Sequence, residues 1–431
     1  MYFPHSFFSD AANLQKQSPN KKDIYLYVLY LYSIILRLIS STLHVFPISE
    51  KSKQFIDGKK LLWDDIKKVP KNKKVIWMHC ASLGEYEQGL PILSAIKLQN
   101  PEIFLLLTFH SPSGYHIDQT HRIADLTTYI PWDNKIDVCR FIENIKPVKV
   151  LFIKSEFWPN LLNELQKRKI KIYLINGLFQ PHQLFFKPWG RWFKKLLNGY
   201  THIFVQNETS KNLVQSIGVK NVSVSGDTRF DRVSLSKEKL CFMKQFVKDR
   251  NCIIAGSVWK EDLNILNEII VNCPEDWCWL VVPHEVNDKH VEKLMNKLPS
   301  KSQKYTKIDK NSINKAKVLV LDKVGLLSAC YQYGQIAYIG GGMSTKGLHN
   351  ILEPAAAGIP IVIGKNYDRF PEAVELTKQG GVLSISSQNE ARKNLLLLMK
   401  NNRIRKEKGD INQRFIQANM GATKRVLYLL S

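Results

Sequence analysis

From Val75 onward, short runs of apolar and β-branched residues alternate with longer amphipathic stretches, and this alternation restricts the fold more than any other feature of the chain. The first set comprises VIWMHCA (75–81), IFLLLTF (103–109), VKVLFI (148–153), KIYLIN (171–176), HIFVQN (202–207) and VSVSG (222–226). Near-continuous apolar strands, each followed by a helix-like segment, are the pattern of a parallel sheet covered on both faces. A charged stretch, Ser234 to Arg250, interrupts the series. It restarts with CIIAGS (252–257), CWLVVP (278–283), KVLVLD (317–322), QIAYIGG (335–341) and IPIVIG (359–364). Two consecutive sets predict an α/β chain with two Rossmann-like domains, 48–245 and 246–431, facing a central cleft. Ligands in such sheets bind beyond the C-terminal ends of the strands.

Residues 1–47 read differently. Ile24 to Phe46 form an apolar run broken only by Arg37 and His44. A helix of roughly 20 residues spans a hydrocarbon core, and Tyr25, Tyr27, Tyr30 and Tyr32 suit one interface. Arg37 is costly at mid-bilayer, so a helix lying in the interface fits as well. A buried core helix and a cleaved signal peptide are the alternatives, the second fitting less well because no small-x-small site follows. Lysines dominate between Lys51 and Lys74, which by the positive-inside rule puts the remaining chain in the cytoplasm. The seven cysteines are scattered without a C-x-x-C pair, which suits a reducing compartment rather than a disulfide framework. Cys273 and Cys278 lack further ligands at zinc spacing, so no metal site is expected.

Charge narrows the partners. With 62 Lys+Arg against 38 Asp+Glu, the formal net charge is +24. Such an excess favours nucleic acid, anionic lipid or phosphorylated substrates. The segment LFFKPWGRWFKK (184–195) interleaves five aromatics with Lys187, Arg191, Lys194 and Lys195. It suits an anionic membrane surface or single-stranded nucleic acid, and equally a buried amphipathic helix with solvated lysines. No nucleic-acid-binding signature accompanies it.

Several strand ends carry chemistry. After the first strand, Ser82-Leu83-Gly84-Glu85 turns into a helix, placing Glu85 where a general base meets a ligand; as an alternative, Glu85 simply complements the helix dipole. Glu156, in KSEFWPNLL (154–162), sits beside Phe157 and Trp158, where partial burial perturbs a carboxyl; pairing with Lys154 or capping the next helix are equal alternatives. In AGSVWKED (255–262), Gly256 and Ser257 suit backbone contact to phosphate. Pro283-His284 ends the next strand, with His284 at the same rim or an ordinary loop residue. The longest constellation is IGGGMSTKGLHNILEPAAAGIPIVIG (339–364). Its glycines permit close approach to a ligand, and the helix expected at Ile351-Leu352-Glu353 would offer N–H groups to phosphate.

Together these segments resemble the bacterial 3-deoxy-D-manno-octulosonic acid (Kdo) transferases, from about Val75 to about Glu372. The most specific pieces are Ser82-Leu83-Gly84-Glu85, Glu156-Phe157-Trp158-Pro159-Asn160, Ser225-Gly226-Asp227-Thr228-Arg229-Phe230-Asp231 and His349-Asn350-Ile351-Leu352-Glu353-Pro354. The resemblance implies a GT-B glycosyltransferase that moves Kdo from CMP-Kdo to the lipid A precursor, lipid IVA, with inversion and without a metal ion or other cofactor. It implies Glu85 as general base, with Glu156 and Arg229 supporting the transition state. The nucleotide site would comprise Gly256, Ser257, Pro283, His284, Val324, Gly325, Leu326, His349, Asn350, Ile351, Leu352 and Glu353. An N-terminal anchor on the cytoplasmic face of the inner membrane, with its anionic surface as partner, is also implied. Departures are Arg229 for a usual lysine, His284 for a usual arginine, Leu348 for a second glycine, and Asn176-Gly177-Leu178 without the arginine often found after the asparagine. A GT-B transferase or epimerase acting on a UDP-sugar is the alternative enzyme, and a basic nucleic-acid-binding protein the alternative class.

Overall fold

The structure is a computed structural model that describes residues 30–36, 42 and 50–430, except 113–114, 116–122, 188–189, 191–192, 234–238, 310–311 and 346. The chain divides into two compact units. One is Met1–Thr228 together with Gly421–Ser431, and the other is Arg229–Met420. The sequence pattern had put the boundary at 245 and run the second domain to 431. The charged interruption at 234–250 is visible in the sequence, whereas the return of the last eleven residues depends on tertiary packing.

In the first unit the described strands are β1 (Val75–Cys80), β2 (Phe104–Phe109), β3 (Leu126–Tyr129), β4 (Pro147–Ile153), β5 (Lys171–Gly177), β6 (His202–Val205) and β7 (Val222–Val224). Their order is β3-β2-β1-β4-β5-β6-β7, with every pair parallel. The principal helices are α1 (Glu50–Asp65), α2 (Leu83–Gln99), α3 (Lys135–Ile145), α4 (Pro159–Lys167) and α5 (Glu208–Ser216). Both faces of the sheet are covered, and successive residues of a strand serve opposite cores. Val75 and Trp77 of β1 join Val150 and Phe152 on one side. Ile76, Met78 and Cys80 join Leu151 and Ile153 on the other. This is why the strands read as continuous apolar runs rather than as alternating ones.

The second unit repeats the scheme. Its strands are β8 (Asn251–Val258), β9 (Trp277–Pro283), β10 (Ser302–Lys304), β11 (Val318–Val320), β12 (Ile336–Ile339), β13 (Ile361–Gly364) and β14 (Val382–Ile385). The order is β10-β11-β9-β8-β12-β13-β14, again parallel. Its principal helices are α6 (Lys260–Val271), α7 (Asp288–Met295), α8 (Leu352–Ala356), α9 (Pro371–Gln379), α10 (Gln388–Lys400) and α11 (Asn402–Asn419). After it, α12 (Ala422–Leu430) rejoins the first unit. There Val426 and Leu430 pack into the core beneath α2, and Arg425 Nε donates to Ser225 O at 2.8 Å.

Each sheet reverses its order once, between β1 and β4 and between β8 and β12. At such a reversal the connections leave in opposite directions and open a crevice beyond the strand ends. Three of the six non-glycine residues in the left-handed region, among the described residues, lie at strand C-termini: Lys154 (φ 70°) after β4, Asn176 (φ 59°) in β5 and Ser257 (φ 54°) in β8. Such conformations cost of order 1 kcal/mol or more, and persist where the surroundings over-determine them.

Of the apolar N-terminal run, only 30–36 and Thr42 are among the described residues. Residues 30–36 are helical, with Tyr30, Leu31 and Ile35 exposed. Ser33 Oγ accepts from Asn160 Nδ2 at 3.1 Å, and Tyr32 hydrogen-bonds Asp133. Among the described residues no helix is long and apolar enough to cross a membrane; the rest of the run lies outside them.

Candidate functional site

The reversal in the first unit explains why two carboxylates 71 positions apart in sequence become neighbours. β1 and β4 lie side by side. The chain leaves β1 through Ala81-Ser82 into α2, with Glu85 in its first turn. It leaves β4 through Lys154-Ser155 to Glu156. Gly89, one turn further along α2, lets the helix lie close to the strand, since a Cβ there would meet Met78 Sδ at 2.7 Å.

Glu85 Oε2 accepts from Ala81 N at 2.5 Å. Burial, and then the charge of Glu156, push the Glu85 carboxyl up to about 7; the N–H groups of Ala81 and Ser82 and the Lys154 ammonium pull the other way. That is the range in which a carboxylate removes a proton near neutral pH. Glu156 behaves in the opposite sense. Burial pushes its carboxyl up, but the hydrogen bond and charge of His79, and then the Trp158 indole, outweigh burial and hold it below the ordinary range. Trp158 Nε1 donates to Glu156 Oε2 at 2.5 Å, and His79 Nε2 lies 3.2 Å from the same oxygen. Tyr200 donates its hydroxyl proton to the Glu156 carbonyl. One carboxyl held as an anion beside another whose basicity is raised is the usual division of labour in acid–base sites.

The third residue of that predicted set belongs to the other unit. Arg229 opens the second unit, where its Nη1 donates to Glu372 Oε1 at 3.1 Å. The structure therefore brings Glu85 and Glu156 together and gives Arg229 a partner of its own.

The second unit's rim is built around Asp262. This buried carboxylate accepts from Trp259 N at 2.9 Å, Gly341 N at 3.0 Å and Tyr338 Oη at 2.8 Å. It thereby ties the turn after β8 to the glycine loop after β12. Gly341 has φ 92°, and a Cβ there would fall 2.2 Å from Gly347 O, so only glycine fits. Gly256 is buried and Ser257 half-buried on the same turn. His284, following Pro283, is exposed and stacks between two rings. It lies 4.2 Å from Trp259 and 4.3 Å from His349, at interplanar angles of 24° and 26°. Trp259 Nε1 donates to His349 Nε2 at 2.9 Å, so the His349 proton sits on Nδ1. Burial, and then His284, push His349 down to about 4, leaving that ring neutral.

The remaining predicted residues divide by role. Val324 and Gly325 are exposed in the loop after β11, with Leu326 half-buried. Asn350 is exposed and accepts from Leu352 N at 3.0 Å, capping the short α8. Ile351 and Leu352 are each 1% exposed and belong to the core, so a ligand can meet only their backbone. Burial raises the Glu353 carboxyl above its ordinary range, with Arg232 opposing. In the 184–195 segment, Phe185 joins the core, as do Leu196 and Leu197 just after it, and Lys194 and Lys195 are exposed; Trp189, Arg191 and Trp192 lie outside the described residues. Among the described residues no three of His, Cys, Asp or Glu are arranged to hold a metal.

Sequence reasoning passed over His79, Trp259 and Asp262. Asp262 had a readable signal, an acid three residues after a helix-capping position. His79 had none, because a histidine inside an apolar strand reads as an ordinary core residue.

Residues 59–232 match the family model described as 3-deoxy-D-manno-octulosonic-acid transferase. Two relatives of that description, from Rickettsia bellii and Haemophilus influenzae, are each 25% identical. The first alignment covers 84% of this chain and 88% of the relative, and the second 82% and 86%. Over these residues, and along most of its length to these relatives, the chain is similar to the Kdo transferase family. A bifunctional glycosyltransferase/methyltransferase from Fusobacterium nucleatum is 26% identical over 77% of this chain, which spans only 53% of that larger protein. Among solved structures, a UDP-GlcNAc 2-epimerase from Neisseria meningitidis aligns with TM-score 0.57 at 17% identity, covering 83% of this chain and 99% of that one. A glycosyltransferase from Rickettsia africae aligns with TM-score 0.53 at 13% identity, covering 83% and 98%. These two share the fold of this chain.

Proposed function

We propose that this glycosyltransferase is a GT-B enzyme that transfers Kdo with inversion from CMP-Kdo to the lipid A precursor, lipid IVA, without a metal ion. The observation that carries this reading is the Glu85–Glu156 pair at the reversal of the first sheet, with Glu85 raised to about 7 and Glu156 held as an anion. Glu85 takes the proton of an acceptor hydroxyl, whose oxygen attacks the anomeric carbon of Kdo. The bond from that carbon to the CMP phosphate oxygen breaks, and CMP leaves with the electron pair. Gly256, Ser257, Pro283, His284, Val324 to Leu326 and His349 to Glu353 line the nucleotide end, through backbone N–H groups and the His349 Nδ1–H. The apolar N-terminal run, followed by its lysines and by the basic 184–195 segment, holds the enzyme at the cytoplasmic face of the inner membrane.

The test is direct. Purified protein is given CMP-Kdo and a tetraacylated lipid A precursor, and product masses report the sugar transferred. Glu85→Gln should lower turnover by 10²–10⁴ while CMP still raises the melting temperature. Turnover within about threefold of wild type refutes Glu85 as the base. A melting shift with UDP but not CMP refutes the donor.

A further inference from the structure

We propose that His79 is the positioning residue of this carboxylate pair: anchored on β2, its imidazole holds Glu156 as a fixed anion beside Glu85 and so governs how strong a base Glu85 is. The inference rests on the reading of Glu85 as base, and goes beyond it by naming what tunes that base.

The geometry assigns the protons. His79 is fully buried in β1. Its Nδ1 lies 3.0 Å from Thr108 O and 2.9 Å from Thr108 Oγ1, and that hydroxyl already accepts from Trp77 Nε1 at 2.8 Å. A carbonyl oxygen only accepts, so Nδ1 carries hydrogen. Nε2 then faces Glu156 Oε2 at 3.2 Å. The alignment is imperfect, and among the described residues Nε2 has no other partner. A lone pair on Nε2 turned towards a carboxylate in a buried site is repulsive, so one proton must bridge Nε2 and Oε2. That proton, together with the Trp158 N–H on the same oxygen, offsets the cost of burying the charge.

Consequences for Glu85 follow from proximity. The groups facing the pair are His79 from β1, His110 beyond β2, Lys154 and Trp158 beyond β4, and Tyr200 ahead of β6. His110 is pushed down to about 4, chiefly by burial and then by Lys59 and His79, so it is uncharged near neutrality. The Tyr200 hydroxyl is held well above its ordinary value by burial, and then by Glu156. Neither can replace the His79 proton. Without it the buried Glu156 takes up a proton of its own, its charge on Glu85 disappears, and Glu85 becomes the weaker base.

The experiment compares His79→Gln and His79→Leu with wild type, following kcat/KM across pH with the Kdo transfer assay. Gln keeps a neutral donor near Glu156, and Leu keeps only bulk. The expected result is an acid limb displaced to lower pH, by roughly one pH unit in Leu and by less in Gln. kcat should fall about tenfold or more, with KM for the nucleotide sugar and affinity for CMP unchanged. A side chain that only fills the core would lower the yield of folded protein without moving the limb. If Leu does not fold, the limb in Gln decides. An unmoved limb in folded Gln protein, with Glu85→Gln inactive, overturns the inference and leaves the base reading intact. Wild-type turnover in Glu85→Gln overturns both.

Discussion

Replacing Asp262 with alanine should unlock the rim of the second unit. The carboxylate satisfies two backbone N–H groups and one phenol, from Trp259, Gly341 and Tyr338. Hydrogen bonds to a charged acceptor contribute about 1.5–3 kcal/mol each. Desolvation of the carboxylate offsets part of this, since burial is the largest influence on it and raises it. A removed partner in a buried charged network typically costs about 3–5 kcal/mol net, and that is the expected penalty here. Asp262→Asn keeps the shape but turns an NH2 group towards one of three donors, so it should cost less, about 1–3 kcal/mol. The pH dependence has a definite sign. A carboxyl raised in the folded state stabilises fully below its unfolded value, and that contribution is lost as pH rises through the folded value. The gap between wild type and Asn should therefore narrow as pH rises above the ordinary carboxylate range. Hydrogen exchange read on peptides covering 252–263 and 336–352 isolates the rim from the other unit, which a single melting curve cannot do. Exchange in both peptides should accelerate about 10²- to 10³-fold or more in Asp262→Ala. Unchanged protection of the 336–352 peptide would refute the idea that Asp262 holds the glycine loop.

Two further outcomes are expected. Glu353→Ala should weaken CMP binding by about 10- to 150-fold, the loss of a ribose hydrogen bond to a charged acceptor, whereas Glu85→Gln leaves that affinity nearly unchanged; calorimetric titration of both separates the two roles. Glu85 is raised from 4.5 to about 7, so its contribution to stability is lost as pH rises across that interval. Urea denaturation of Glu85→Gln should show a flatter pH profile between those values than wild type, and parallel profiles would contradict the burial of this carboxyl.

The sheets were legible because burial on both faces leaves little freedom of composition. VIWMHCA and CWLVVP admit no other reading once the helical stretches between them are counted; β1 lies within the first, and β9 is the second with one residue more at its start. β3, β10 and β14 escaped notice for the opposite reason. LTTY, SQK and VLSI are short and partly polar, as edge strands and their neighbours tend to be. Glu85 and Glu156 could be singled out as strand-end acids, but their adjacency could not, because it depends on β4 crossing to the far side of β1. His79 was silent for a related reason, and Asp262 showed its capping position but not its partners. Each acts through a partner on a different strand or loop, and no spacing along the chain records Thr108 beneath one or Gly341 beside the other.

The path of the last helix affects how the chain is made. Residues 229–420 form a continuous stretch, while α12, which supplies Val426 and Leu430 to the core under α2, lies beyond it. On a ribosome adding about 5–20 residues per second, roughly 190 residues separate the first sheet from the helix that covers it, a delay of roughly 10–40 s. During that interval the α2 face is an open apolar surface, and the second unit is complete before the first. The domain translated first is thus the one finished last, and the apolar face that Val426 and Leu430 cover stays open until that helix emerges.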